Sequence, residues 1–294
     1  MPQIPEPNYQ RDEQQLIKYY KQSFQKILGE MRGITNGIEQ AQADSLLRQI
    51  AYILGQLDQD TQQWVQNNVT RAFREGQAGA IYAIGEATSL TEAASLASFS
   101  LLARHTVETL VNDTYSDLLI ATQNTEKKIK QLVRSVVSDT MRVKALEQLG
   151  RRTTRNAIIE KLTQQGLSRK LTDEAWVGII DKAGRRWNLS TYAEMVVRTK
   201  LQQAHVEGVR VEALERGVDL AVISSHGATD PCRNYEGLVI SMNGETPGYK
   251  TYQELRQSGK IFHPNCKHHI SSIQDINLLP NSLKKRHEEA MRKI

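Results

Sequence analysis

No proline interrupts the chain between Pro7 and Pro231. Proline lacks an N–H and its ring collides with the preceding helical turn, so a stretch this long without one is free to run as helix. Composition points the same way. Aromatic residues make up only 6% of the 294 residues, while Gln, Ala, Leu, Arg and Lys are plentiful, which favours helix over sheet. The chain is long enough for two domains of ordinary size and a sizeable core. It holds no apolar run of transmembrane length, and Met1-Pro-Gln-Ile-Pro-Glu-Pro7 lacks the charged-then-apolar order of a signal peptide. Two cysteines in so long a chain are no disulfide framework and fit a product of a reducing cytoplasm.

Residues 1–10, with Pro2, Pro5 and Pro7, read as an extended arm that becomes ordered when something binds it. From Asp12, the residues Leu16, Ile17, Tyr20, Phe24, Ile27, Leu28 and Met31 recur at helical spacing, and Gly33 and Gly37 break the stripe. Leu46 to Leu57 makes a second stripe, its end blurred by Gly55, and Asp60 or Thr61 is placed to cap a third helix carrying Trp64, Val65, Val69, Ala72 and Phe73. The stretch Gly76–Gly85 (GQAGAIYAIG) either brings helices close together or bends the chain. Thr88-Ser-Leu-Thr-Glu92 is a capping signal for a helix through Leu96, Leu101 and Leu102, and Ile129 to Val137 marks the next helix.

After Gly150, Ile158, Ile159 and Leu162 predict a short helix closed by Gly166. Thr172-Asp-Glu174 opens another, with Trp176, Ile179 and Ile180 inward and Gly184 at its end. Ser190 caps a long helix stopped by Gly217. Val218–Ser224, Leu238–Ser241 and His269–Ile273 read as short strands, and Asn281–Ile294 as a basic terminal helix. The expected fold is mainly α, with elongated amphipathic helices in the N-terminal half and a small α+β C-terminal domain of short strands around a Cys/His-rich knot. Its parts are an arm (1–10), a helical region (11–150), a C-terminal domain (151–280) and the terminal helix (281–294). So many amphipathic helices with few bulky residues suit a bundle, or helices that hold shape against a neighbouring protein.

Net charge is +5, with a pI near 9.1. The excess gathers in one stretch: Lys127, Lys128, Lys130, Arg134, Arg142, Lys144, Arg151, Arg152 and Arg155 stand against Asp139 and Glu147. Such a run faces nucleic-acid phosphates or an acidic partner, or is simply a solvated helix face. No aromatic residue interleaves it, so base stacking is not indicated.

Both cysteines, Cys232 and Cys266, and four of the seven histidines, His226, His263, His268 and His269, fall in two short non-helical segments. Zinc takes four N or S ligands at a tetrahedral centre, and His263-x-x-Cys266 or Cys266-x-His268 supplies two from one turn. Cys232 lies on the neighbouring segment and His226 is a spare. No CxxC pair is present, because Tyr235 stands three after Cys232. A metal-free hydrogen-bonded knot and a disulfide are the alternatives. A zinc deaminase is not supported: His205-Val-Glu207 and Pro231-Cys232 imitate its motifs, but the second cysteine is missing. A Cys–His nucleophile pair, Cys232 with His263 or His226, finds nothing in sequence to lower the thiol pKa. The only local carboxylates, Asp230 and Glu236, sit where turn residues belong. Arg198 and Thr199 read either as a polar pair tying their helix to the knot or as plain surface.

The ordered set Val197-Arg-Thr-Lys200, Glu215-Arg-Gly-Val218, Asp230-Pro-Cys-Arg-Asn-Tyr-Glu-Gly237 and Phe262-His-Pro-Asn-Cys266 resembles the phage head-morphogenesis or minor capsid proteins, the group that includes the phage Mu F-like domain. The Ser224-Ser-His226 entry is most similar to the branch called phage minor capsid protein 2. The resemblance covers roughly Ser190–Ile273. It implies a low-copy structural protein of a tailed phage or prophage, without catalytic activity. Such a protein sits in the virion head interior, passes through the host cytoplasm during assembly and touches no membrane in the assembled head. Its implied partners are the portal protein, scaffold or major capsid protein, and packaged DNA through phosphate contacts; its implied role is procapsid assembly or DNA delivery. Mu F-like members carry C-x-x-C after the strand and H-P-N-C-R-C before the last one. Here Cys232, His263 and Cys266 match, Tyr235 replaces the second cysteine and His268 the last. The resemblance thus implies a partly retained zinc knuckle of Cys232, Cys266, His268 and either His263 or His226. The rival from another class is a Cys/His or metal-dependent hydrolase or nuclease using the same knot.

Overall fold

Helix dominates as the missing prolines require. The computed structural model describes residues 4–32, 34, 38–148 and 152–294, and 69% of it is helical. In order it has α1 (Gln10–Met31), α2 (Gln40–Ala83), α3 (Leu90–Leu96), α4 (Leu101–Gln148), α5 (Arg152–Leu162), α6 (Gln164–Lys170), β1 (Val177–Ile180), β2 (Arg186–Asn188), α7 (Leu189–Glu215), β3 (Leu220–Ile223), β4 (Val239–Ser241), α8 (Tyr252–Ser258), β5 (Ile270–Ile273) and α9 (Asn281–Met291). Gly33, Gly37 and Arg151 lie outside the described residues.

Several expected breaks are absent. Gly55, Asp60 and Thr61 lie inside α2, a single helix of 44 residues, and Thr61 is buried there rather than capping. One apolar stripe runs through them as Leu46, Ile50, Leu54, Leu57, Trp64, Val65, Val69, Ala72 and Phe73, all buried. Packing along that stripe outweighs the roughly 1 kcal/mol that one glycine costs a helix. The expected helix through Leu96 and Leu102 splits instead. Ser89 caps α3 by accepting from the Glu92 N–H, α3 ends at Leu96, and Leu101 and Leu102 open α4 with exposed side chains. From there α4 runs unbroken to Gln148, so Val107 and Ile129 belong to one helix.

The chain divides into two units: residues 1–12, 65–114 and 195–294 form one, and residues 13–64 and 115–194 the other. The boundaries fall inside α1, α2, α4 and α7. In the second unit α1 buries Leu16, Ile17, Tyr20, Ile27 and Met31, and Phe24 packs its ring 5.1 Å from that of Trp176. Tyr115 donates its hydroxyl to Asp58, and the Ile38 N–H donates to Thr140 Oγ1. Gly166 does not close a helix: its N–H donates to Thr163 Oγ1, the cap of α6. The helix expected over 172–184 is a hairpin, β1 against β2, after one wide turn at Leu171–Ala175. Val-Gly-Ile-Ile suits a strand, and Asp181 accepts the Ala183 and Arg185 N–H groups in a turn completed by Gly184 at φ +77. Ile180 is therefore exposed rather than inward.

The first unit is built on a crossing of α2 and α7. A methyl group placed on Gly76 lands on the carbonyl oxygen of His205, with Val209 N at 3.0 Å; one placed on Gly208 lands on the Phe73 carbonyl, with Phe73 Cα at 3.1 Å. The two backbones thus touch twice, one helical turn apart, with no room for a Cβ. Of the two readings of GQAGAIYAIG, close approach is the correct one. Gly217, at φ +72, then ends the path of α7 and turns the chain into a three-stranded antiparallel sheet of order β4-β3-β5. Ala221 and Ile223 of β3 face one core with Val206, Val209, Leu238, Ile240 and Ile270, while Val222 faces another with Val239, Ile273 and Leu279. Both faces of the strand are covered, which explains its unbroken apolar run.

The end of the arm and the start of α1 make contacts within the first unit. Tyr9 is buried, its hydroxyl shares a hydrogen bond of 2.9 Å with His205 Nδ1, and Asp12 pairs with Arg71. Gly76→Ala and Gly208→Ala should each destabilise the protein by at least ~2 kcal/mol, the upper range for overpacking against backbone. Gly55→Ala, with nothing within 4 Å of its Cβ, should stabilise by about 0.5–1 kcal/mol. Urea unfolding of the three variants checks both signs.

Candidate metal centre

Two segments of the first unit deliver the ligating side chains. Asp230 caps a 3-10 turn over Pro231–Tyr235, its Oδ1 accepting the Cys232 N–H, and points Cys232 into the core. The second segment runs from Phe262 to His269 in a tight loop where the Cys266 N–H donates to His263 O. Phe262 and Asn265 both sit at positive φ, +55 and +65, a conformation costly for a side chain like Phe. The surroundings fix the loop. Thr199 of α7 accepts the Asn265 N–H at 3.0 Å, and Gln202, one turn on, donates to the carbonyls of Lys267 and His268. Thr199 is thus a tie between its helix and the knot. Gln202 was not foreseen, although its spacing of three from Thr199 puts both on one helix face.

Cys232, His263 and Cys266 offer ligand atoms that lie within 4.8 Å of one another. Both cysteines are free thiols and buried. His268 Nδ1 lies 3.3 Å from Cys266 Sγ, and His268 is fully buried. His263 Nε2 is 3.5 Å from Asp230 Oδ2, and the Cys232 thiol donates to the other oxygen of Asp230. On the far edge of His268 a second group forms: His226, Glu236 and His268 also offer atoms within 4.8 Å of one another. There the His226 ring lies 4.3 Å from that of His268, and Glu236 Oε1 is 3.5 Å from His268 Nε2. His226 is exposed. His269 turns away. Its ring packs edge-on to His205 at 6.2 Å, and its N–H donates to Ser224 Oγ beside the β3–β5 ladder.

The electrostatics follow from burial. Desolvation first, then the hydrogen bond to Asp230 and the nearby Cys266 thiol, push the Cys232 thiol far up, so it is held as S–H. Asp230 is held below the usual carboxylate range, chiefly by that S–H. Burial lowers His268, and His226 beside it adds to the effect. Burial opposes ionisation of Glu236, but the Ala228 and His226 N–H groups and the Ser225 hydroxyl hold it below its usual range.

The donor set suits zinc in kind: Cys232, Cys266 and the half-buried His263 bring two sulfurs and one imidazole within 4.8 Å of one another, and His268 Nδ1, 3.3 Å from Cys266 Sγ, is the fourth N or S donor at hand for a tetrahedral structural ion. His268 Nε2 is buried without a hydrogen-bond partner at normal distance, an orphan that a rearranged imidazole would relieve. One side of the cluster opens on a recess of about 250 Å³ lined by residues such as Thr199, Lys200, Tyr252, Phe262 and His263, with no carboxylate among its lining residues.

The family model described as phage minor capsid protein 2 matches residues 34–293. The chain belongs to the phage minor capsid protein 2 family. No curated protein and no solved structure matches it significantly. The match takes in both units and reaches far beyond the C-terminal third that carried the resemblance. This minor capsid protein is therefore a phage structural protein, and among its described residues no helix is long and apolar enough to cross a membrane.

The basic residues of the minor capsid protein separate. Lys127, Lys130, Arg134 and Arg142 are exposed on α4 and, at about 100° per residue, share an arc of roughly 120°. Lys130 pairs with Glu126 and Lys144 with Glu39, while Lys128 donates to the Val177 carbonyl. Arg152 and Arg155 belong to α5.

His205 gives a pH dependence. Burial, and then His269, lower its pKa to about 3, while the unfolded side chain titrates near 6.5. Below that value the unfolded state takes up a proton that the folded state refuses, so stability falls with pH by up to about 1.4 kcal/mol per unit from this group. Urea midpoints at pH 7 and pH 5 should show the loss, and His205→Gln should reduce it.

Proposed function

We propose that this minor capsid protein is a low-copy, non-enzymatic assembly factor that acts at the portal of the procapsid, inside the head, with its C-terminal region clamped by zinc. The observation that carries this reading is where the ligating side chains lie. Cys232 and Cys266 are part of the same buried core as Ile223, Ile240 and Ile270, so a bound ion there braces a fold. Cys232, Cys266, His263 and His268 would hold the ion, which supplies a four-way cross-link between the two loops.

The hydrolase reading loses support at the same spot. A nucleophilic thiol needs a base on it and a lowered pKa; Cys232 instead donates to Asp230, is buried and is held protonated. The adjoining recess supplies no carboxylate as a general base. Packaged DNA is the second proposed partner. The arc of Lys127, Lys130, Arg134 and Arg142 has no Asp or Glu within it between residues 123 and 148, since Glu126, Asp139 and Glu147 fall to its sides. With no aromatic side chains, its contacts would be to phosphate.

Co-expression with the portal protein of the same phage tests the assembly role: the two should co-elute in a complex, and co-assembly with the major capsid protein alone would overturn it. Protein purified without chelator should contain about one zinc per chain, and a strong chelator should lower its unfolding temperature. Metal-free protein indifferent to chelator would sink the clamp. Replacing Lys127, Arg134 and Arg142 by Gln should weaken binding to duplex DNA and reduce the salt slope by about 2–3, near 0.9 per lost contact.

A further inference from the structure

We infer that Glu236 is the positioning carboxylate of the centre: it takes the Nε2–H of His268 and so turns the Nδ1 lone pair of that ring toward the two cysteines. The assignment rests on the zinc reading above and deepens it. His268 stands between two groups: it shares one with His226 and Glu236, and its Nδ1 lies 3.3 Å from Cys266 of the other, while a single imidazole presents one lone pair when neutral. Which nitrogen carries the proton therefore decides which group is the site.

Three observations favour Nδ1 as the ligand. First, a sulfur donor lies on that side, Cys266 Sγ at 3.3 Å, and Cys266 in turn groups with Cys232, both of them buried. Second, the carboxylate on the other side is already committed. Glu236 Oε1 accepts the N–H groups of His226 (3.2 Å) and Ala228 (2.9 Å), and Oε2 accepts the Ser225 hydroxyl (3.1 Å). A carboxylate so occupied is a poor metal ligand, yet it is rigidly placed to accept one more hydrogen bond. Third, His268 Nε2 is buried without a partner at normal distance, and Glu236 Oε1 lies 3.5 Å from it. Carboxylate–histidine–metal arrays work in this way: the outer hydrogen bond fixes the tautomer and ring orientation and raises the basicity of the ligating nitrogen. The Gln202 amide, which donates to the His268 carbonyl at 3.1 Å, holds the backbone end of the same residue. His226 then has no place in the coordination sphere and is only a ring packed at a tilt of 41° against His268.

Long-range ¹H–¹⁵N correlation spectra of the zinc-loaded full chain, labelled at histidine, read the tautomer directly. The expected result is His268 protonated on Nε2 and metallated on Nδ1. Competition with a chromophoric chelator should show Glu236→Gln binding zinc about tenfold more weakly, with the cobalt(II)-substituted spectrum still that of a sulfur-ligated tetrahedral ion. His226→Ala should bind as the parent does, and Ser225→Ala should lose clearly less than Glu236→Gln, because it loosens the carboxylate without removing the acceptor. Zinc bound with His268 protonated on Nδ1, or Glu236→Gln binding as tightly as the parent, overturns the assignment and leaves the zinc reading standing. Equal losses in Ser225→Ala and Glu236→Gln would make Glu236 a loop brace and overturn it too. No zinc at all overturns both. Should Glu236→Gln fail to fold, the tautomer of the unaltered chain decides.

Discussion

Two backbone contacts hold the first unit in register: Gly76 against the His205 carbonyl and Gly208 against that of Phe73. With no side chain between them, α2 and α7 approach until carbonyl oxygens meet Cα hydrogens, a distance at which weak C–H···O contacts and dense van der Waals packing add up. Everything the site needs from α7 is measured from that crossing. His205, at the contact itself, receives Tyr9 and faces His269. Gln202 and Thr199, one and two turns earlier, hold the backbone of the loop that carries His263, Cys266 and His268. A helix displaced by a methyl group would move all three anchor points together, because cores deform in steps rather than smoothly.

The loop in turn stores what the crossing provides. Phe262 and Asn265 in the left-handed region would relax in a free peptide; here the Thr199 bond to Asn265 and the packing of Phe262 on Tyr252, at 5.1 Å between rings, keep them in place. The sheet closes the opposite side. β3 is held by β5 through Ile223–Ile270, and Ser224 exchanges hydrogen bonds with His269 immediately beyond the ladder. Polar groups are therefore brought into an apolar core from two elements that cannot move independently. A cluster of thiols and imidazoles placed there pays desolvation unless something satisfies it, and an ion bound by the same atoms removes that cost.

The C-terminal third was legible because its signals are local. Strand alternation, the stop at Gly217 and the turn before Gly237 each depend on a few adjacent residues, and β3, β4 and β5 lie within the segments that periodicity marked. The long helices were harder. Gly55 and Thr61 carry every local sign of a break, and only the stripe of residues buried on both sides of them shows that none occurs. The β1–β2 hairpin was misread as helix because Thr172-Asp-Glu174 does begin a helical turn, which then runs straight into a strand. The helix α8 was overlooked although Thr251 and Glu254 form a full capping box; seven residues are too few for a periodicity to register. The two units could not be seen at all, since their boundaries fall within helices and no Gly- or Pro-rich linker announces them. Within the centre the residue types were evident, but Asp230 and Glu236 looked like mere turn residues. They are that, and their side chains reach Cys232 and His268 as well.

The departures from the Mu F-like pattern gain a physical logic from these neighbours. Tyr235, where a second cysteine stands in that pattern, is buried in the core with Leu238 and Ile240, so its position is occupied by packing. His268 replaces the last cysteine beside an acidic pair, Asp230 and Glu236, that already carries two negative charges. Zinc with four thiolates has a net charge of about −2, which two adjacent carboxylates would oppose in a medium of low dielectric. Zinc with two thiolates and two neutral imidazoles is neutral overall. On the zinc reading proposed above, histidine in place of the last cysteine removes one of those negative charges, and Glu236 becomes an acceptor for the His268 ring instead of a charge opposing a thiolate.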